Sequence, residues 1–243
     1  MEPLRLNKYL SEKGICSRRE ADRLATEGRI SVNGEKAEPG RKVTDGDEIL
    51  IDGKEIEKKS PEKVIIAVNK PASVVCTTKS FHNEVNVLSL VDYGERLYPV
   101  GRLDKDSTGL IFLTNDGDFA AEVTRASGNH EKEYEVTVNK DITDEFLKKM
   151  EKGVFLKELQ KKTAACRVVK RGDRKFSIIL HQGLNRQIRR MCGTLGYEVR
   201  SLKRVRIMNV TLGDLEEGKW RIVEGDEKKK LLSSLKNTGS KSR

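Results

Sequence analysis

"VGRLDKDSTGLIFLTNDGD", residues 100–118, joins an acid-rich, turn-forming half to an apolar half. "GLIFLTNDG" is a short apolar run closed by turn residues, the signature of a buried strand. If "VGRLD" is extended, side chains alternate. Val100, Arg102 and Asp104 then face one way and Leu103 the other. Leu103 would anchor the segment in a core while Arg102 and Asp104 enter a cleft. Asp116 precedes Gly117 in a turn, Asp118 suits the N-cap of the next helix, and Asp106 fixes the turn after Asp104. Spacing alone reads Asp104 as a turn acid as well.

Upstream of this stretch, "VIIAVNKP" (64–71) predicts a buried strand. "NVLSLVDYG" predicts a helix, and so does "DFAAEVTRASG". The alternating "KEYEVTV" predicts a strand, "TDEFLKKMEKG" a helix, and "ACRVVK" and "KFSIILHQG" two more strands. Strands and helices in mixed order predict an α+β domain on a mainly antiparallel sheet with a central cleft.

"RQIRRMCGTLGYEVRSLKRVR" (186–206) carries seven Arg and Lys against one acid, Glu198. That density marks a phosphate-binding surface. Its first half is helical by period, with Ile188, Met191, Cys192 and Leu195 on one buried face. At 100° per residue Arg189 falls at the edge of that face, able to reach a buried carboxylate. Arg186 and Arg190 fall further round, towards solvent or phosphate. Arg189 could also be a snorkelling side chain that only covers the core.

Residues 3–57 read as a small α/β module. "LRLNKYLSEKG" predicts a helix stopped at Gly14, and Ser17 with Glu20 forms a capping box for a second helix ending near Gly28. Asn33-Gly34, Asp45-Gly46 and Asp52-Gly53 are hairpin signals. Arg5, Lys8, Arg18, Arg19 and Arg23 give the helices basic faces suited to a phosphate backbone. Residues 58–63 read as a charged linker, 64–235 as the larger domain, and 236–243 as a disordered tail.

The net charge of +10 over 243 residues points to a polyanionic partner. The four cysteines and three histidines show neither metal-ligand spacing nor a disulfide framework. No apolar run approaches a membrane span and no signal-peptide core is present, which predicts a cytoplasmic protein. Neither GxxxxGK[ST] nor GxGxxG occurs, so no nucleotide cofactor is expected.

"GRLDKDSTGL" resembles the catalytic motif of the pseudouridine synthases of the RsuA and RluB/RluE/RluF group. "NKP", "EKEYEVTV", "GLNRQIRRMCGTLGYEVRSLKRVRI" and "GKWR" follow in the same order and spacing. "RLNKYLSEKGICSRREADRLATEGRISVNG" resembles the αL RNA-binding domain of a small-subunit ribosomal protein. "EKEYEVTVNKDITDEFLKKMEKGV" leans towards the RluF branch, which modifies large-subunit ribosomal RNA. The resemblance implies that Asp104 is the essential aspartate, Tyr134 packs on the target base, Arg189 pairs with Asp104, and Arg102 fills the gap left by a flipped nucleotide. It implies a monomer that uses no cofactor or metal. The family often has glycine two residues after the proline of "NKP", where this chain has Ala72 and then Ser73. A non-catalytic RNA-binding assembly factor and a synthase acting on transfer RNA are the alternatives. A DNA-binding protein lacks its reader helix.

Overall fold

The computed structural model describes residues 2–58, 61–77 and 84–239; the side chains of 126 and 236–239 lie outside the description. The chain forms two units. One comprises Met1–Val64, Tyr93–Arg96 and Asn115–Gly117, the other Ile65–Asp92, Leu97–Thr114 and Asp118–Arg243. Residues 59–60 of the expected linker fall outside the described residues.

The first unit runs β1 (Leu4–Arg5), α1 (Leu6–Glu12), α2 (Arg18–Thr26), β2 (Ile30–Val32), β3 (Glu35–Lys36), β4 (Lys42–Val43), β5 (Ile49–Ile51) and β6 (Lys54–Glu55). The Ser17 side chain accepts from the Glu20 amide at 3.0 Å, which caps α2. Leu6, Tyr9 and Leu10 of α1 and Ala21, Leu24 and Ala25 of α2 pack on Ile30, Val32 and Ile49. Asn33-Gly34 and Asp52-Gly53 take positive φ at both positions, the twist that type I′ hairpins need. Asp45-Gly46 differs from expectation. Neither residue has positive φ, and the flanking strands β4 and β5 pair with β1 and β2, not with each other. The Asp47 carboxylate closes this turn by accepting from the Thr44 amide at 2.6 Å.

The second unit is built on one sheet in the order β13-β14-β10-β15-β9-β7-β17. Its strands are β7 (Ile65–Lys70), β8 (Tyr98–Val100), β9 (Thr108–Thr114), β10 (Lys132–Val138), β13 (Arg167–Gly172), β14 (Lys175–Leu180), β15 (Val199–Ile207), β16 (Val210–Thr211) and β17 (Trp220–Ile222). A small hairpin, β11 (Phe155–Leu156) with β12 (Lys161–Lys162), lies apart from it. Every pairing is antiparallel except β9 with β15. The helices α4 (Asp144–Glu151) and α5 (Gln187–Thr194) share one core with β10, β13 and β14; α3 (Gly117–Thr124) and α6 (Gly225–Gly239) share another with β7 and β9.

Three local expectations change. "NVLSLVDYG" yields a single 3-10 turn, Val87–Leu90, because Val91 is already extended. Asp118 lies inside the first turn of α3, not at its cap, where its charge still favours the positive helix end. Residues 236–239 of the expected tail are helical: α6 continues to Gly239, anchored by Leu231 and Leu235 one turn apart in the core, with no proline or glycine between them. Residues 240–243 lie outside the described residues. Among the described residues, no helix is long and apolar enough to cross a membrane.

Candidate active site

β8 ends at Val100, and Gly101 turns the chain at φ +73°, a conformation that costs glycine little. The simple alternation predicted for "VGRLD" is therefore broken. Val100 and Leu103 are both buried, Arg102 is exposed and Asp104 is half-buried. Leu103 does anchor the loop. The turn after it closes through the Ser107 amide donating to the Asp104 carbonyl at 3.0 Å.

Two buried cations hold this loop from below. Lys70, fully buried at the end of β7, donates to the carbonyls of Pro71 (2.7 Å), Val74 (2.9 Å) and Lys105 (3.5 Å). Burial pushes its ammonium below the usual lysine range. Arg204, only 4 % exposed, donates to the carbonyls of Leu110 (2.6 Å) and Arg102 (3.5 Å), and its buried Nη2 has no partner among the described residues. Gly109 admits β15 this closely, since a Cβ there would collide with the Arg204 backbone. The "NKP" loop joins in: the Ser73 amide donates to the Lys105 carbonyl at 2.8 Å. Ser73 itself sits at φ +67°, the left-handed conformation that favours glycine at that position.

Tyr134 lies mid-β10, opposite Ile178 of β14 and Arg204 of β15. The register between β10 and β15 shifts at this point, so that Val205 is an extra residue between the partners of Glu133 and Tyr134. The bulge re-aims the two arginines beside it. Arg204 joins Tyr134 in lining a cleft, while Arg206 turns to Glu131 (3.0 Å) and Glu133 (2.9 Å). The cleft holds about 550 Å³; Asp104, Tyr134, Lys132, Leu180, Arg186 and Arg204 are among its lining residues.

The arginines of α5 depart from the expected pairing. Arg189 is the most buried of the three, its side chain 14 % exposed against 42 % for Arg186. Yet it donates to the Asp106 carbonyl (3.1 Å) and the Ser107 hydroxyl (3.3 Å), and its ion pair is with the Asp106 carboxylate at 3.3 Å. Among the described residues, the guanidinium within 4 Å of Asp104 is that of Arg186, at 3.8 Å. Arg186 precedes the helix with φ +49°, so the 100° step does not place it, and its side chain reaches the cleft mouth. Arg186 also holds Asp106 at 3.1 and 3.0 Å and keeps that carboxyl below its usual range. Arg190 is tied to Glu158 at 3.3 Å and to Asn185. Asp116 pairs with Lys63 at 3.1 Å.

Arg102 stands exposed on the cleft lining, and its side chain has no hydrogen bond or ion pair among the described residues. In the first unit, Arg5, Arg18 and Arg19 are exposed. Lys8 pairs with Glu12 at 3.5 Å. Arg23 is clamped between Glu20 (2.5 Å) and Glu27 (2.6 Å), so its charge is largely satisfied within its own helix. The residues that spacing missed are Lys70, Lys132 and Arg204. Each is a cation in a strand; for Lys70 the charge at the end of the otherwise apolar run "VIIAVNK" was the available signal, whereas Lys132 and Arg204 stand among other charged residues and carried none.

The RNA pseudouridylate synthase family model matches residues 64–194, and the S4 domain model matches residues 4–49. The chain is 48% identical to the dual-specificity RNA pseudouridine synthase RluF of Escherichia coli O6:H1, over 99% of this chain and 82% of that one. It is 34% identical to the ribosomal large subunit pseudouridine synthase B of Bacillus subtilis (strain 168), over 93% and 95%. A crystal structure of a pseudouridylate synthase superposes with a TM-score of 0.69 at 28% identity, covering 94% of this chain and 99% of that one.

Proposed function

This chain belongs to the RNA pseudouridylate synthase family and isomerises uridine to pseudouridine in RNA, and from that premise we propose that its substrate is large-subunit ribosomal RNA and that Asp104 is its catalytic carboxylate. The observation that carries the assignment is the cleft: among its lining residues Asp104 is the one acid. The reaction breaks the C1′–N1 bond, turns the uracil and joins C5 to C1′. Asp104 acts on the sugar, a role that needs the carboxylate ionised and oriented. The Arg186 guanidinium stands 3.8 Å from that carboxylate. Arg189 holds the adjoining turn through Asp106 and Ser107. Tyr134 packs on the uracil. Removing the base from the RNA stack costs a few kcal/mol, and Arg102 offsets part of it by filling the gap.

Residues 3–57 dock the RNA through Arg5, Lys8, Arg18 and Arg19, residues 58–63 connect, and residues 64–235 carry out the chemistry as a cytoplasmic monomer. The name of the Escherichia coli relative, dual-specificity, favours a second RNA class, and transfer RNA is the candidate. Mapping pseudouridines in ribosomal and transfer RNA from a deletion strain tests both. A missing large-subunit pseudouridine, restored by the wild-type chain and not by Asp104→Asn, is the expected result. An unchanged ribosomal map would reject the substrate.

A further inference from the structure

We propose that Lys132 is the base that removes the proton from C5 of the rejoined uracil. The assignment rests on the pseudouridine synthase reading above.

The chemistry requires such a base. Once C5 bonds to C1′, that carbon is tetrahedral and still carries its hydrogen, while N1 has none. The neutral Lys132 amine takes the C5 proton. The C5–H electron pair becomes the C5–C6 double bond, and the C6–N1 π pair moves onto N1. N1 then takes a proton from the ammonium or from water. One hydrogen has moved from C5 to N1, and no oxidant or reductant is needed. Asp104 faces the sugar in this scheme, so a second group must serve the base.

The geometry favours one residue over His181, the other nitrogen base of the lining, whose Nδ1 is engaged at the Asn129 carbonyl at 3.0 Å. Lys132 lines the same cleft as Asp104 and Tyr134. It lies two residues before Tyr134 on β10, so both side chains leave the same face, about 7 Å apart along the strand. Its Nζ donates to the His130 carbonyl at 3.1 Å, and no carboxylate lies within 4 Å of it among the described residues. No counter-ion therefore holds it charged. Burial first, and the nearby Arg204 charge second, push its ammonium down to about 8. A lysine so placed is neutral in about a tenth of the molecules at pH 7 and in about half at pH 8, within the range a general base uses. The cleft's arginines stay charged and cannot accept a proton. Lys161, the other lysine of the lining, is exposed and keeps its hydration.

The test uses large-subunit ribosomal RNA transcribed with ordinary uridine or with uridine deuterated at C5. Saturating full-length enzyme converts it in single turnovers. Wild type is expected to convert both RNAs at similar rates. Lys132→Met should be about 100-fold slower or more. It should also convert the deuterated RNA more slowly than the ordinary one, because C5–H cleavage now limits the rate. Lys132→Arg keeps the charge but cannot accept the proton, so it should behave like Lys132→Met. RNA affinity and thermal melting, measured on both variants, should match wild type. Equal rates on the two RNAs in Lys132→Met, or full activity in Lys132→Arg, would overturn the assignment alone. No product from the wild-type chain would overturn the underlying function as well.

Discussion

Arg186 grips the Asp106 carboxylate with both arms of its guanidinium, at 3.1 and 3.0 Å, and the same guanidinium stands 3.8 Å from Asp104. The two acids thus share one cation, and they separate by role. Asp106 is bound tightly and shapes the turn. Asp104, held loosely, remains available to substrate.

Asp104→Asn is expected to abolish isomerisation while leaving RNA affinity nearly unchanged. The shape persists; the charge does not. Single-turnover pseudouridine formation at saturating enzyme checks this, because weak binding cannot then mimic lost chemistry.

Asp106→Asn is expected to reduce turnover without abolishing it, since Arg186 and Arg189 are deprived of their charged anchor on the turn. The Asp106 carboxyl is held below its usual range, chiefly by Arg186. A depressed carboxylate contributes stability in full above its unfolded value, about 3.9, and loses it as pH falls towards the folded value. Acid unfolding below about pH 4 should therefore differ less from neutral pH in the mutant than in wild type. An identical acid limb would show that the clamp contributes nothing.

Arg18→Ala with Arg19→Ala is expected to weaken RNA binding and lower the salt slope by about 0.7–0.9 for each phosphate that is no longer neutralised. Arg23→Ala should change the slope far less, because Glu20 and Glu27 already hold its charge. Titrations across several salt concentrations separate the two outcomes.

Arg102→Ala is expected to slow base flipping and leave initial binding intact, because its exposed side chain has no protein partner among the described residues. A fluorescent base analogue at the target reports flipping directly. Normal flipping kinetics would reduce Arg102 to a phosphate-binding side chain.

Ser73→Gly is expected to raise stability. The left-handed conformation at φ +67° costs a side chain about 1–2 kcal/mol, and the extra freedom of glycine when unfolded returns about 0.5–1 of that. The net gain is about 0–1.5 kcal/mol, centred near 0.75, read as a shift in denaturation midpoint.

Local sequence signals located the buried strands 65–70 and 108–114, the capped helix after Ser17, two of the three Asx-Gly hairpins and the apolar face of α5, because each depends on residues near in sequence. The order of motifs carried the family and the names of its site residues. Tertiary structure decided which groups meet. The bulge at Val205 sends Arg204 under the catalytic loop and Arg206 to the two glutamates, although both arginines alternate identically in sequence. Arg186 reaches Asp104 because a left-handed residue precedes the helix, and no helical wheel contains that break. Lys70, Lys132 and Arg204 read as ordinary surface charges by residue type. Burial removes the water of Lys70 and Arg204 and part of that of the half-buried Lys132, and only the packed sheet supplies the carbonyls and neighbouring charges that replace it.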